Sequence, residues 1–203
     1  MTKGSINFYF TDRRWPSKEG TSDLFDWLVI DHYDLFAKAL VNKLDDFFEK
    51  KDFIDANGIF TPTNQKYMMH WVHMLESEIS KDFENDKKLE VFNNFFERDK
   101  SKMQYLKEKF INSKNKKTVY IFNEANFCVN MDAPIKIRNA LNVVRDGNKD
   151  FILLWVTICK KFDDLENILV REDPGILDLW ADKKSVGFCQ ILDEFKFTPD
   201  IWA

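Results

Sequence analysis

The chain has 203 residues, a formal net charge of -4 and a hydrophobic fraction of 44%. Its 20 phenylalanines and 6 tryptophans are enough to build a core, which excludes a disordered chain. The acidic balance argues against a general nucleic-acid-binding protein.

The first fifty residues predict a strand followed by a long helix. Residues 5–11 alternate and are rich in aromatic side chains, which is typical of a strand. From residue 22 to residue 50 the apolar positions recur every three or four residues, which predicts a helix. Asp31 or Asp34 is expected to cap the part of this helix that begins there.

The middle of the chain is predicted to be mostly helical. Residues 53–63 indicate short extended pieces around an Asn57-Gly58 turn. Residues 66–80 and 89–112 each carry an apolar stripe at helical spacing. We therefore expect two helices separated by a charged break.

The second half of the chain alternates between strands and helices. Residues 116–125, 151–158 and 165–170 are rich in apolar, β-branched and aromatic side chains, which predicts buried strands. Residues 133–146 and 182–195 carry helical spacing, and Pro134 suits the first turn of its helix.

This alternation predicts right-handed βαβ units and hence the fold class. We expect an α/β protein built as a three-layer sandwich, with a mainly parallel, Rossmann-like sheet and helices on both faces. Residues 1–203 are expected to form a single domain, which either stands alone or belongs to a larger protein.

The cysteines and the apolar runs bear on the compartment. Cys128, Cys159 and Cys189 lie far apart in apolar surroundings, so we expect reduced thiols in a cytoplasmic protein. No segment resembles a signal peptide, and no apolar run approaches the roughly 20 residues that a membrane-spanning helix needs.

Residues 23–34 are rich in ionisable and aromatic side chains, with four carboxylates, a histidine and three aromatic residues. The ordinary interpretation is a polar loop that leads into an amphipathic helix. The functional interpretation is one wall of an active site after the first strand, where open α/β sheets bind ligands. On that interpretation the candidate catalytic residues are Asp23, Asp26, Asp31 and His70.

Several polar and aromatic residues suit a phosphorylated sugar. Arg13 and Arg14 are candidate contacts for phosphate or acceptor, although a surface turn is the commoner role for such a pair. Tryptophans can stack on a sugar or a base, or simply fill the core. The candidate substrate-binding residues are Asn7, Thr11, Arg13, Arg14, Trp15, Trp27, Asn123, Glu124 and Asn126.

The sequence gives little support for a bound metal. Many metal-dependent glycosyltransferases resemble one another in an Asp-x-Asp motif, and this sequence contains none. His70, His73 and Glu76 follow at three-residue steps on the predicted helix, but such steps drift around a helix and no fourth ligand is evident. We therefore expect no metal and no cofactor other than a nucleotide sugar as co-substrate.

Residues 98–117 carry eight basic and two acidic side chains. A basic helix face of this kind is compatible with peripheral contact to an anionic membrane or with an anionic glycan. A solvated helix face is the commoner explanation of the same pattern.

The Phe25-Asp26-Trp27 element after a short opening strand resembles the DUF1796 family of papain-like cysteine peptidases. Members of that family look like a strand with Gly-x-x-Cys, then Pro-Phe-Asp-Trp, a central histidine, a basic helix and an apolar strand. The counterparts here are residues 4–7, residues 24–27, His70, residues 98–111 and residues 119–123.

This sequence departs from the family pattern at the nucleophile. The expected cysteine falls near Asn7 or Phe8, and no cysteine precedes Cys128. A thiol peptidase needs a thiolate paired with a base, so the peptidase activity does not carry over. Relatives in the family look like products of surface-polysaccharide gene clusters, and the resemblance thus implies sugar chemistry.

Three hypotheses follow from these patterns. The first is a metal-independent, inverting glycosyltransferase-like enzyme of polysaccharide synthesis, which joins a nucleotide sugar to a glycan acceptor with a carboxylate as general base. The second is a catalytically dead relative of cysteine peptidases that binds a glycan or a protein. The third is a hydrolase that uses the aspartate cluster with His70.

Overall fold

The computed structural model describes residues 4–9, 28–55, 62–71, 82–124, 132–158 and 162–172. This part of the chain is α/β, with helices packed on a sheet of eight strands. The strands are β1 Gly4–Tyr9, β2 Leu28–Ile30, β3 Phe53–Asp55, β4 Pro62–Asn64, β5 Met69–Trp71, β6 Thr118–Glu124, β7 Phe151–Thr157 and β8 Ile168–Glu172. The helices are α1 Tyr33–Val41, α2 Asn85–Asn112 and α3 Asp132–Val144.

The strands follow the order β3-β4-β5-β2-β1-β6-β7-β8 across the sheet. Pairing is parallel from β6 to β7 and from β7 to β8, as expected for the second half of the chain. The other described pairings are antiparallel, so the predicted mainly parallel sheet is wrong and the sheet is mixed. The pairing of β4 with β5 follows from their four-residue turn, 65–68, which is too short for the crossover connection that parallel neighbours need.

Two predicted helices contain strands where the structure describes them. Of the 22–50 prediction, residues 28–50 are described: β2 comes first, paired with strands on both sides, and α1 follows it. Within 66–80, residues 69–71 form β5, while 72–80 lie outside the described residues. A run of three apolar residues fits either helix or strand periodicity, and pairing with neighbours decides between them.

The long periodic elements agree with their predictions. The 89–112 prediction corresponds to α2, which begins at Asn85 within the expected charged break. The 133–146 helix corresponds to α3, with Pro134 in its first turn. The predicted helix at 182–195 and the Asn57-Gly58 turn lie outside the described residues.

Stacked aromatic rings join the sheet to the helices. The rings of Phe122 on β6 and Trp155 on β7 stack with centroids 4.1 Å apart and an interplanar angle of 5°. Tyr33, at the start of α1, contacts both rings edge-on. A second group of rings, Phe48, Phe53, Phe95 and Phe96, holds α2 against the β3 end of the sheet.

Both faces of the sheet are buried. Tyr120 and Phe122 belong to the core shared with the three helices. Ile121 on β6, Leu154 on β7 and Val29 on β2 occupy the alternate positions and are also buried, at 0%, 0% and 3% exposure. Of the described helices, none is long and apolar enough to cross a membrane.

Arg145, immediately after α3, is the most deeply buried cation among the described residues, with 1% exposure. Its guanidinium donates to the carbonyls of Ser113, Lys116, Asn148 and Asp150 and to the hydroxyls of Thr118 and Tyr120. These acceptors lie where α2 leads into β6 and α3 leads into β7. One side chain therefore ties together the connections at the amino-terminal ends of two parallel strands.

We expect Arg145→Met to lower the free energy of unfolding by about 3 kcal/mol or more, because buried carbonyls lose their donors. Urea unfolding measures the change. The control is Arg98→Met, which removes an exposed arginine bonded to its neighbour Asp99 and should cost about 0.5 kcal/mol or less. Equal losses for the two variants would contradict the assignment.

Asp46 lies in the turn after α1 and links this turn to the β4–β5 hairpin. Its carboxylate accepts hydrogen bonds from the Lys66 ammonium and the Tyr67 hydroxyl. These two bonds, the Lys66 bond first, hold the pKa of the Asp46 carboxyl below its usual 3.8. Beside them, the fully buried Asn64 donates to the Phe47 carbonyl and accepts from the Tyr67 amide.

A lowered carboxyl pKa stabilises the folded state above the unfolded pKa, and this stabilisation is lost as the pH falls below about 3.8 through the folded value. The unfolding free energy of the parent protein should fall between pH 5 and acid pH, and we expect this decrease to be smaller in Asp46→Asn. Tyr67→Phe removes one of the two donors and should weaken it only in part. Urea unfolding at each pH measures these profiles. Identical profiles for Asp46→Asn and the parent protein would contradict the expectation.

Candidate active site at the carboxyl edge of the sheet

One edge of the sheet gathers the ends of several strands. The parallel strands β6, β7 and β8 end there at Glu124, Thr157 and Glu172, which share one row of the register. The row continues through Gly4 of β1 to Ile30, the last residue of β2. Since β2 runs in the same direction as β6, the residues after β2 arrive at the edge where α/β sheets bind ligands.

Asp31 follows β2 directly and extends its ladder with β5 by one residue. Its amide donates to the Met68 carbonyl at 3.0 Å, one residue beyond the last register pair, Ile30 with Met69. This pairing puts Asp31 diagonally across from His70 on β5. Diagonal neighbours on antiparallel strands lie about 7–8 Å apart, within reach of these side chains.

The side chains of Asp31 and His70 meet at this edge. Asp31 Oδ2 lies 3.3 Å from His70 Nδ1, and each side chain is 18% exposed. A carboxylate at Nδ1 favours the imidazole tautomer with its proton on that nitrogen, so Nε2 becomes the proton acceptor. We name this pair the dyad. Its geometry is that of a general base with an orienting carboxylate.

The use of Asp31 in the ladder also corrects a prediction about α1. Neither Asp31 nor Asp34 caps this helix, because His32 holds the cap position. Asp34 lies in the first turn instead and pairs with Lys136 of α3 at 2.7 Å. The two helices are therefore joined by an ion pair.

The structure describes the backbone of three other predicted site residues. Asn123 and Glu124 are the last two residues of β6, as expected. Asn123 shares a register row with His70, through Ser5 and Val29. Three strand spacings separate Asn123 from His70, which amounts to about 14 Å. Asn7 lies on β1 opposite Ile121, two residues further from this edge than Ser5.

The other predicted site residues all lie outside the described residues. They are Thr11, Arg13, Arg14, Trp15, Asp23, Asp26, Trp27 and Asn126. Thr157 was not predicted as a site residue, although it ends β7 at the same edge and has 1% exposure. The signal for it was available, since Thr157 is the polar residue at the end of the most apolar run in the chain.

The metal interpretation of His70 changes with its secondary structure. His70 lies on a strand, so the predicted helical spacing with His73 and Glu76 does not apply to it. His73 and Glu76 are outside the described residues. Within the part that the structure describes, no three His, Cys, Asp or Glu side chains are grouped to hold a metal ion.

Charged groups elsewhere are used in pairs. In the basic segment 98–117, Lys107 pairs with Asp45 and Lys114 pairs with Asp146. A groove of about 540 Å³ lies between the turn after α1 and α2, but none of the predicted site residues that the structure describes lines it. Lys107 and Asp45 both line that groove and bind each other there, so the dyad remains the better candidate for chemistry.

No known protein family, curated protein or solved structure matches this chain. The resemblance to the DUF1796 family therefore stays a prediction.

A double-mutant cycle tests whether the dyad forms in solution. We expect Asp31→Asn and His70→Gln to show a coupling in unfolding free energy of roughly 0.5–1 kcal/mol, as partly exposed pairs do. Urea unfolding of the two single variants and the double variant measures it. The same cycle with Lys149→Gln, an exposed residue just before β7 at the opposite end of the sheet, in place of His70→Gln is the control and should give about zero. A zero coupling for His70 would show that the pair is absent.

Proposed function

We propose that this chain is a glycosyltransferase-like enzyme of polysaccharide synthesis, with the dyad as its general base. The single observation that carries the proposal is the contact between Asp31 and His70 at the carboxyl edge of the sheet. The pair combines a proton acceptor with a group that orients it, which is what activation of a sugar hydroxyl requires.

In the proposed reaction, His70 Nε2 takes the proton from a hydroxyl of the glycan acceptor. The acceptor oxygen then attacks the anomeric carbon of a nucleotide sugar and forms the new glycosidic bond. The bond between that carbon and the donor phosphate breaks, and the nucleoside diphosphate leaves with the electron pair. Asp31 stabilises the imidazolium while it carries the proton. Attack from the face opposite the leaving group inverts the anomeric centre.

The positions of other edge residues support a substrate of this size. Asn123 and Glu124 end β6 at about 14 Å from the dyad, a distance that a nucleotide sugar can bridge. Carboxylate and amide groups at that point suit sugar or ribose hydroxyls. Arg13 and Arg14 remain the proposed diphosphate contacts, on the basis of their chemistry alone.

The finer parts of the proposal rest on the sequence and on burial. The absence of an Asp-x-Asp motif supports a metal-independent reaction. The separated cysteines support a cytoplasmic location. Buried Val29, Ile121 and Leu154 on the second face of the sheet support the three-layer arrangement, since apolar strand residues need cover on both sides.

A thermal-shift screen is the first test. Nucleotides and nucleotide sugars of UDP, GDP, dTDP and CMP type are added at millimolar concentration, with and without Mn²⁺. A donor at 100 times its dissociation constant should stabilise the protein by about 2.7 kcal/mol and raise the melting temperature. A selective shift that is indifferent to Mn²⁺ is expected. No shift with any nucleotide would reject the transferase and favour the binding module, a catalytically dead relative of cysteine peptidases.

Sugar transfer from the donor so identified then tests the dyad. We expect His70→Gln to lower kcat by roughly 10²- to 10⁴-fold, the usual contribution of a general base. Asp31→Asn should lower kcat in the same direction, because the imidazole loses its orienting carboxylate. The exposed neighbour His32 supplies a matched control, and His32→Gln should keep the parent rate. An unchanged rate in His70→Gln would remove the dyad from the mechanism.

A further inference from the structure

The hydrogen bond that ties Asp31 to the hairpin carrying His70 ends on a residue in an uncommon conformation. The acceptor, the Met68 carbonyl, belongs to a residue with φ of 51°, in the left-handed region. Residues other than Gly, Asn and Asp seldom adopt this backbone conformation, because Cβ then approaches the neighbouring carbonyl oxygen.

The other left-handed residues among those described are of two kinds. Asp146 and Asn167 have φ of 52° and 61°, and their short polar side chains tolerate such values. Lys43 and Leu44, in the turn after α1, have φ of 53° and 58° and, like Met68, carry no such side chain. Met68 is the last residue of the four-residue turn that joins β4 to β5. A left-handed residue at the end of a hairpin loop lets the chain enter the second strand in register.

The position of Met68 couples this turn to the dyad. The carbonyl of Met68 accepts from the Asp31 amide, and His70 is only two residues further along the same strand. Asp31 itself lies between β2 and α1, where the chain changes from strand to helix. A bond to the neighbouring strand at this junction limits where the Asp31 carboxylate can lie.

From this geometry we infer that Met68 is a positioning residue of the dyad. Its left-handed backbone directs the carbonyl to the Asp31 amide and so holds the Asp31 carboxylate at His70 Nδ1. The effect on catalysis rests on the proposed function. The effect on the imidazole does not, because the tautomer of His70 can be observed without any reaction.

Three substitutions separate backbone conformation from side-chain chemistry. Met68→Gly and Met68→Asn accept the left-handed conformation readily. Met68→Val disfavours it strongly, because Val is branched at Cβ. The readouts are amide hydrogen exchange at Asp31, the ¹⁵N shifts of the His70 imidazole, and kcat for sugar transfer. The chain has 3 histidines, so comparison with His70→Gln assigns the His70 signals.

In Met68→Val we expect roughly tenfold faster exchange at the Asp31 amide, because local opening exposes it. We also expect a mixture of His70 tautomers in place of one, and kcat lower by roughly tenfold to a hundredfold, as small misplacements cost. Met68→Gly and Met68→Asn should keep the parent behaviour in all three readouts, even if they shift the melting temperature.

Two outcomes would overturn the inference. One is faster exchange at Asp31 with no change in the His70 tautomer, since the bond would then not position the pair. The other is a Met68→Val protein that keeps slow exchange at Asp31, since the backbone conformation would then not matter. If the tautomer responds as expected but no variant and no parent protein transfers sugar, the inference stands and the proposed function fails.

Discussion

The register between β2 and β5 is the constraint on which the candidate site depends. Leu28, Ile30 and Met69 are fully buried against the helices, and alternation along each strand directs Asp31 and His70 to the other side. A slip of one residue would reverse every side chain on the slipped strand. Each buried Leu, Ile or Met contributes about 1.5–3 kcal/mol, whereas a partly exposed ion pair contributes about 1 kcal/mol or less. Apolar burial therefore places the dyad, and the attraction within the dyad only adjusts it.

The Arg145 network and the proposed active site occupy opposite edges of the same sheet. At the amino-terminal ends of β6 and β7, Arg145 binds only neutral oxygen atoms and its cation is held out of water. Burial also raises the pKa of the Tyr120 hydroxyl, with Arg145 opposing the shift, so this hydroxyl stays protonated near neutral pH. At the carboxyl edge, Asp31 and His70 each keep 18% exposure, which leaves the pair accessible to water.

The sequence allowed a good prediction of the elements that repeat their pattern many times. The 28 residues of α2 and the seven-residue strands β6 and β7 offer enough periods to identify them. The three-residue strands β2 and β5 do not, and both were predicted as parts of helices. The sequence predicts Asp31 as a catalytic candidate for its chemistry and His70 for its place in the DUF1796 pattern, and the hydrolase hypothesis combines them. The strand pairing that brings the two side chains into contact is not predicted, because β2 and β5 are assigned to helices.

The lengths of the paired strands bear on how firmly the site is held. Strands β6 and β7 share seven register pairs, whereas β2 and β5 share three. A ladder with few bonds opens more readily than a long one, and binding or catalytic elements tend to come from such regions. The dyad thus lies at the end of a short ladder beside a long parallel one. In a short ladder, each hydrogen bond contributes a larger share of the ladder's stability. The added bond between Asp31 and Met68 is therefore important for the position of the candidate site.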